Sequence, residues 1–83
     1  MWTRFQDMHS GGGRKCDFDI AYIEAPESVV KAVFEHRFGR DPNNVTCDCC
    51  GDDYSVWEFA TLEEAMKDDR GEHVIIRASE LAQ

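Results

Sequence analysis

The sequence predicts a small α+β domain with an antiparallel or mixed sheet and two helices, and three observations predict it. Apolar residues alternate with polar ones in some segments and recur at helical spacing in others. Two strand-like segments at the start are joined by a glycine loop, whereas later segments alternate between strand and helix. With 83 residues the chain is a single domain over residues 1–83, small enough to need a staple beside its hydrophobic core.

The first two strands are expected at residues 2–8 and 17–23. The first alternates loosely, whereas in the second Phe18, Ile20 and Tyr22 alternate with polar or small residues. Residues 10–13 read Ser-Gly-Gly-Gly, which predicts a flexible hairpin loop between them. A phosphate-binding loop is the alternative, but the segment lacks the lysine–serine pair of such loops and a helix start to hold the anion.

The first helix is expected to begin at Pro26 and to end before Gly39. Proline is favoured at the first helical position, Glu27 suits the positive end of the helix dipole, and glycine is a common C-terminal cap. Apolar residues recur between them at helical spacing: Val29, Val30, Val33, Phe34 and Phe38. Residues 41–44 read Asp-Pro-Asn-Asn, which predicts a loop.

A strand and a short helix are expected next. Residues 54–59 are rich in side chains that favour strands. Thr61 and Glu64 form a capping box, which predicts a helix that runs to about Asp69.

A compact last strand is expected at residues 73–77, after Gly71 has ended the second helix. Residues 78–83 are expected to form a loose tail. The predicted order is two strands, a helix, a cysteine knuckle, a strand, a helix and a strand. We expect both helices to pack on one side of the sheet.

The strongest chemical signal lies in mid-chain, where residues 47–51 read Cys-Asp-Cys-Cys-Gly. Cys47 and Cys50 have the spacing of a zinc knuckle, in which one tight turn brings two thiolates to one ion. Gly51 can adopt the positive φ that such a turn needs, and Cys49 is either a third ligand or a bystander. A structural zinc ion would couple about 10–16 kcal/mol of binding energy to the folding of this small chain.

A tetrahedral zinc site needs further ligands, and His9 is the first candidate because it precedes the glycine loop. Cys16 lies just past that loop, so a hairpin places both residues near one rim. One assignment is therefore Cys47, Cys49, Cys50 and His9, and the other replaces Cys49 with Cys16. His36 and His73 suit surface or half-buried positions better than ligand positions.

Other interpretations of the cysteines stay open. They can be reduced thiols without a metal. A redox pair usually opens a helix in a β–α–β unit, and Asp52 and Asp53 disfavour a reactive thiolate here. Disulfides fit less well, because adjacent cysteines bridge poorly and the sequence shows no secretory segment. A reducing cytoplasm is therefore the expected compartment.

The net charge of −8 is concentrated in one segment. Residues 48–69 carry eight acidic side chains against Lys67, whereas the rest of the chain is nearly balanced. Such a surface repels nucleic acid and favours a basic protein partner, although solubility alone also explains an acidic helix. The residues expected to contact a partner are Asp52, Asp53, Glu58, Glu63, Glu64, Asp68 and Asp69.

The chain is not expected to be an enzyme. Cysteine-rich coordination is typical of a closed structural zinc, whereas a catalytic zinc keeps a water position and a nearby base. Asp48 and Asp52 are near enough to the knuckle to act as bases if one position stayed open, so a small zinc hydrolase is retained as an alternative. No apolar run is long enough to span a bilayer.

Five separated blocks resemble a family of small proteins of tailed bacteriophages. They read MWTRF, DMHSGGG, YIEAP, RFG and VTCxCCGxDYS, and they cover roughly residues 1–71. The resemblance implies that His9 belongs to a shared pattern with Cys47, Cys49 and Cys50, whereas Cys16 does not. It assigns no activity, and it implies that the protein works in the cytoplasm of a bacterial host.

An acidic, zinc-containing chain of this size is also similar to phage anti-CRISPR proteins that inhibit Cas9. This similarity implies a non-enzymatic inhibitor that docks its acidic stretch, residues 48–69, on a basic surface of a host defence nuclease, with Cas9 as one candidate. The alternatives are a phage adaptor or regulator that binds another protein and the zinc hydrolase.

Overall fold

The computed structural model describes residues 1–9, 13–14, 16–45, 51–67, 69 and 71–81. The elements are β1 (Trp2–Asp7), β2 (Ile20–Glu24), α1 (Glu27–Phe38), β3 (Tyr54–Phe59), α2 (Leu62–Ala65), β4 (His73–Ile76) and α3 (Ala78–Leu81). The α+β class and the order of the strands and of the first two helices are as predicted. None of the helices in the described part of the chain has the length and apolar character needed to cross a membrane.

The four strands form one mixed sheet in the order β3-β1-β2-β4. β1 is an inner strand and pairs antiparallel with both β2 and β3. β2 also pairs in parallel with β4, which lies at the opposite edge from β3. The predicted hairpin of the first two strands is therefore confirmed, with Phe5 opposite Ala21.

β2 begins at Ile20, later than the predicted Asp17, because Asp19 makes other contacts. The Asp19 N–H donates to the Glu72 carbonyl at 2.8 Å, and the Asp19 carboxylate accepts the Glu72 N–H at 3.0 Å. These two bonds tie the start of β2 to the residue that precedes β4.

Helix α1 has the start and the end that the sequence predicts. Pro26 is its N-cap in an extended conformation, and the Pro26 carbonyl accepts the N–H groups of Val29 and Val30, each at 3.0 Å. Gly39 ends the helix with φ 72°, and its N–H donates to the Glu35 carbonyl at 2.8 Å. Glycine adopts this left-handed conformation without the steric cost that a Cβ brings.

An aromatic cluster fills the space between α1 and one face of the sheet. The Phe34 ring lies 4.5 Å from Phe5, 4.8 Å from Phe38 and 5.0 Å from Tyr54, measured between ring centroids. Phe18, from the connection before β2, lies 4.6 Å from Phe38. Phe34 is fully buried at the centre of this cluster.

The opposite face of the sheet is covered by α2. The buried residues of this second core are Trp2, Ile20, Tyr22 and Ala65. Successive residues of a strand point to opposite faces, so Tyr22 faces α2 whereas Ala21 and Ile23 face α1. The expectation that both helices lie on one side was therefore wrong. β2 is apolar on both faces, and each face needs cover.

Helix α2 is a single turn. The Glu64 N–H donates to the Thr61 hydroxyl at 3.2 Å, as the capping box predicts. The helix ends at Ala65 rather than near Asp69, whose carboxylate contacts β2 and β4 instead.

Helix α3 occupies the start of the segment that was expected to be a loose tail. Two carboxylates hold its first turn. The Arg77 N–H donates to Glu80 at 2.8 Å, and the Ala78 N–H donates to Glu24 of β2 at 3.0 Å. Because both bonds satisfy donors at a helix N-terminus, this turn forms without an apolar periodic pattern.

Candidate metal centre and acidic surface

The segment that carries the predicted cysteine ligands is closed at its base. Asp53 donates its N–H to the Asn44 carbonyl at 2.8 Å, and the Asn44 side-chain amide donates to the Asp53 carboxylate at 3.3 Å. We call this pair the neck. Gly51, just inside it, has φ 75°, the positive value expected of the knuckle turn. The three predicted cysteine ligands lie outside the described residues: Cys47, Cys49 and Cys50.

The neck is tied to the end of β1. The Met8 N–H donates to the Asp53 carbonyl at 2.9 Å, and His9 is the next residue. His9 has φ 55°, a left-handed conformation that is uncommon for a residue with a side chain. Its N–H donates to the Asp7 carboxylate at 2.7 Å. The predicted ligand His9 is therefore fixed beside the base of the cysteine segment.

The imidazole of His9 is held by Asp19, with Nε2 3.1 Å from Oδ1. The other carboxylate oxygen accepts the Glu72 N–H at 3.0 Å and lies 3.6 Å from Arg14 Nη1. Hydrogen bonds from Glu72 first, and then from His9, hold the pKa of Asp19 below its usual value. Asp19 is thus an ionised acceptor that orients the His9 ring.

This arrangement suits a histidine that binds a metal. Such a histidine commonly donates one ring N–H to a carboxylate, which fixes its tautomer and leaves the other nitrogen for the ion. With Nε2 on Asp19, Nδ1 of His9 is the atom left to coordinate. Across the described ranges, no three His, Cys, Asp or Glu side chains form a group that could hold a metal ion. The other predicted ligands belong to residues 47–50, which lie outside those ranges.

Cys16, the alternative ligand, makes a different contact. Its side chain is half-buried against the aromatic cluster, and its Sγ accepts the Tyr54 hydroxyl at 3.6 Å. Burial first, and then this hydrogen bond, raise the pKa of the Tyr54 phenol. Coordination by Cys16 would require this contact to break, so the geometry favours His9 as the ligand from this part of the chain.

The acidic residues predicted to contact a partner differ in exposure. Asp53 is only 1% exposed because it forms the neck. Asp69 is half-buried, and Asp68 lies outside the described residues. The exposed carboxylates lie just before β3, on β3 and on α2: Asp52, Glu58, Glu63 and Glu64.

Asp69 is half-buried because it connects Tyr22 with His73. The Tyr22 hydroxyl donates to one carboxylate oxygen at 2.9 Å, and His73 Nδ1 lies 2.8 Å from the other. Tyr22 is fully buried, and burial first, followed by the contact with Asp69, raises the pKa of its phenol. We call this set the polar link. No sequence pattern indicates this set, because Tyr22 and Asp69 lie 47 residues apart in the chain.

Trp57 is a second feature that the sequence did not predict. Tryptophan usually fills the core or its border, but the Trp57 side chain is 56% exposed on β3. The indole N–H donates to the Ser55 hydroxyl at 2.7 Å, so the polar atom of the ring is satisfied within the strand.

No family model, no curated protein and no solved structure matches this chain.

Proposed function

We propose that this chain is a non-enzymatic inhibitor that docks an acidic surface on a basic region of a host defence nuclease, with zinc stabilising its fold. One observation carries the docking: Glu58 on β3 and Glu63 and Glu64 on α2 are all exposed. Helix α2 contacts β3, so these carboxylates lie on neighbouring elements, with Glu58 on the α1 face of this edge strand and Glu63 and Glu64 on the helix that covers the other face. Exposed charges of one sign steer association with an oppositely charged protein and make it sensitive to salt.

Few basic groups oppose these carboxylates. Lys67 is the one basic side chain among residues 51–67, all of which the structure describes. Arg4, on the adjacent strand, lies with its guanidinium 5.0 Å from the centroid of the Phe59 ring and 3.5 Å from the Ala65 carbonyl. Since Arg4 packs between β3 and α2, the exposed charge of this surface is dominated by acids, which disfavours a nucleic acid as the partner.

A nuclease guided by RNA suits this surface because its nucleic-acid channel is positively charged. An acidic protein docked in or beside that channel competes with phosphates for the same lysine and arginine side chains. Cas9 is the first candidate, and the similarity to phage anti-CRISPR proteins supports it. This mode of inhibition requires no catalytic residue in the chain.

The zinc part of the proposal is supported by the neck and by the contact between His9 and Asp19. The residues that would hold the ion are His9, Cys47, Cys49 and Cys50. Elemental analysis of the purified chain should find about one zinc ion per chain. A chelator should lower Tm strongly, because metal binding is coupled to folding in small domains. An unchanged melting curve after complete metal removal would refute the assignment.

Asp19 provides a finer test of the metal centre. Asp19→Asn keeps the shape of the side chain but weakens the acceptor that orients His9, so metal affinity should fall by about 10–100-fold. His36→Ala is the control, because His36 is exposed on α1 and should leave the affinity unchanged. Equal affinities of both variants, measured by competition with a coloured chelator, would show that Asp19 does not orient a ligand.

The docking surface is tested by reversing its charge. In the first variant Glu58, Glu63 and Glu64 become lysine. In the control, three exposed acids on and before α1 become lysine: Asp17, Glu27 and Glu35. Like the first variant, the control places lysine in the first turn of a helix, so both variants carry that cost. The first variant should lose affinity for the nuclease by about tenfold or more, since each reversed charge turns an attraction into a repulsion.

Loss of inhibition in the first variant alone supports docking through β3 and α2, whereas equal inhibition by both variants would contradict it. Affinity capture from host cells with quantitative mass spectrometry identifies the partner class. Recovery of a nuclease supports the proposal. Recovery of transcription or replication proteins instead would favour the phage adaptor.

A further inference from the structure

The outer edge of β3 has no partner strand within the described residues, because β3 ends the sheet order beside β1. The hydrogen bonds of β1 show which backbone groups face that edge. The Asp7 N–H donates toward β2, to Asp19 at 2.8 Å, whereas the Met8 N–H donates toward β3, to Asp53 at 2.9 Å. Backbone groups alternate in direction along a strand, so the even-numbered residues of β1 bond to β3.

The register of β3 against β1 then shows in which direction the backbone groups of β3 point. Ser55 and Trp57 lie opposite Gln6 and Arg4, and they bond to β1. The alternate residues Val56 and Glu58 direct their N–H and carbonyl groups away from the sheet. These outward groups form a row that a further strand can pair with.

Apart from the charge of Glu58, β3 lacks the features that usually protect such an edge. Edge strands are commonly blocked by lysine, proline or a bulge, but residues 54–59 contain neither residue and pair with β1 without interruption. Val56 is 43% exposed and Trp57 is 56% exposed. An edge with exposed apolar side chains is typical of interfaces that bind an extended peptide.

We propose that β3 binds an extended basic segment of the partner protein as an additional antiparallel strand. The inference rests on the proposed function for the presence of a basic partner, and it adds the way in which that partner is held. Val56 and Glu58 lie on the α1 face and Trp57 lies on the α2 face. The bound segment therefore places lysine or arginine opposite Glu58 and an apolar residue beside Trp57.

The charge of the chain argues against a second copy as the occupant. Each copy carries a net charge of −8, and each would bring exposed acids of β3 and α2 to the shared edge. Like charges that face each other across strands destabilise the pair. A basic segment is attracted by the same carboxylates, and it forms the same main-chain hydrogen bonds that a second copy would form.

Peptides test the inference on the unmodified protein. The probe has the length of β3 and alternates lysine with valine. If lysine lies opposite Glu58 in an antiparallel pair, the lysine N–H groups face β3 and the valine N–H groups face solvent. Two modified peptides are compared with the probe. One is N-methylated on the lysine amides and the other on the valine amides, so the two have the same charge and the same number of methyl groups.

The unmodified peptide should bind and slow hydrogen exchange at Val56 and Glu58. Methylation of the lysine amides should weaken binding by about tenfold or more, because it removes the donors of the ladder, whereas methylation of the valine amides should not. Equal binding of the two methylated peptides, or no binding of any peptide, overturns the inference. Binding of the peptides to the Glu58/Glu63/Glu64 reversal variant tests the charges, including the contact with Glu58, whereas the two methylated peptides test the main-chain hydrogen bonds, so the two proposals fail separately.

A variant of the protein tests the same edge with the native partner. Val56→Pro removes an outward N–H and leaves the bonds to β1 in place, and Val56→Thr is the control that keeps the N–H. Capture of the nuclease should fall with proline only. Retained capture by a folded Val56→Pro variant overturns the inference. Circular dichroism reports whether the Val56→Pro variant folds. If it does not fold, the two N-methylated peptides test the inference.

Discussion

The two faces of the sheet are stabilised by different interactions. On the α1 face, a three-turn helix covers an aromatic cluster with Phe34 at its centre. On the α2 face, a single helical turn covers a smaller core, and the polar link of Tyr22, Asp69 and His73 joins β2 to β4 beside it. The α1 face is therefore stabilised by buried apolar area, and the α2 face depends more on a few directional hydrogen bonds.

This difference implies different sensitivities to mutation. A face held by apolar area should respond to changes in side-chain volume, and a face held by hydrogen bonds should respond to the loss of single atoms. The variants below test this contrast in order of decreasing expected effect.

The largest effect is expected from Phe34→Ala. Removal of a buried ring at the centre of the aromatic cluster should lower the free energy of unfolding by about 3–5 kcal/mol. Val29→Ala is the control on the same helix, because Val29 is exposed, and it should cost less than about 1 kcal/mol. Urea unfolding measures both. Similar losses in the two variants would show that the α1 face does not depend on packing at Phe34.

Tyr22→Phe should have the next largest effect. It removes one hydroxyl from the polar link and leaves the ring, so the expected loss is about 1–3 kcal/mol. Tyr54→Phe is the matched variant on the α1 face, where the hydroxyl donates to the Cys16 thiol, a weak acceptor, and its loss should be smaller. If both variants lose equal stability, the two faces do not differ in their dependence on polar contacts.

Gly71→Ala tests the contact between Gly71 and Asp19 at the border of the α2 face. Gly71 has φ 87°, and a Cβ there would meet the Asp19 carboxylate that accepts the Glu72 N–H. Gly39 also has a positive φ, but a Cβ there would enter open space. Gly39→Ala should therefore cost about 1 kcal/mol from strain alone, and Gly71→Ala should cost more. Equal costs would show that Asp19 moves aside freely.

The last perturbation is alkaline pH, whose effect is small just above about pH 10 and grows as the pH rises. Burial raises the pKa of Tyr22 and of Tyr54, the two tyrosines of the chain. The unfolded chain therefore loses tyrosine protons at lower pH than the native protein, and stability should decline once the pH rises above about 10. Tyrosinate absorbance should appear together with unfolding. Tyrosinate in a fully folded protein near that pH would contradict the burial of both phenols.

The sequence predicted those parts of the fold whose signals are local. Pro26 and Gly39 mark the two ends of α1, and the strand-favouring side chains of residues 54–59 match β3 as observed. The parallel pairing of β2 with β4 has no such signal, because it depends on how distant segments meet. The side of the sheet on which each helix packs also depends on how distant segments meet, so the prediction of both helices on one side was wrong. The observed arrangement covers β2, which is apolar on both faces.

The candidate site divides in the same way. The spacing of Cys47 and Cys50 is a local pattern and suggests a metal ligand pair directly. The roles of Asp19 and Asp69 could not be read from the sequence, because each has a partner far along the chain: Glu72 for Asp19 and Tyr22 for Asp69. An acidic residue has the same appearance in a sequence whether it faces solvent or orients a histidine.

The inner position of β1 has a kinetic consequence. Arg4 pairs with Tyr22 on one side and with Trp57 on the other, so the sheet closes only after segments from both halves of the chain have met. Such long-range pairing raises the contact order, and folding should be slow for a chain of this length. Until β3 arrives, one side of β1 is an open strand edge, and this is the interval in which the nascent protein is most prone to aggregate.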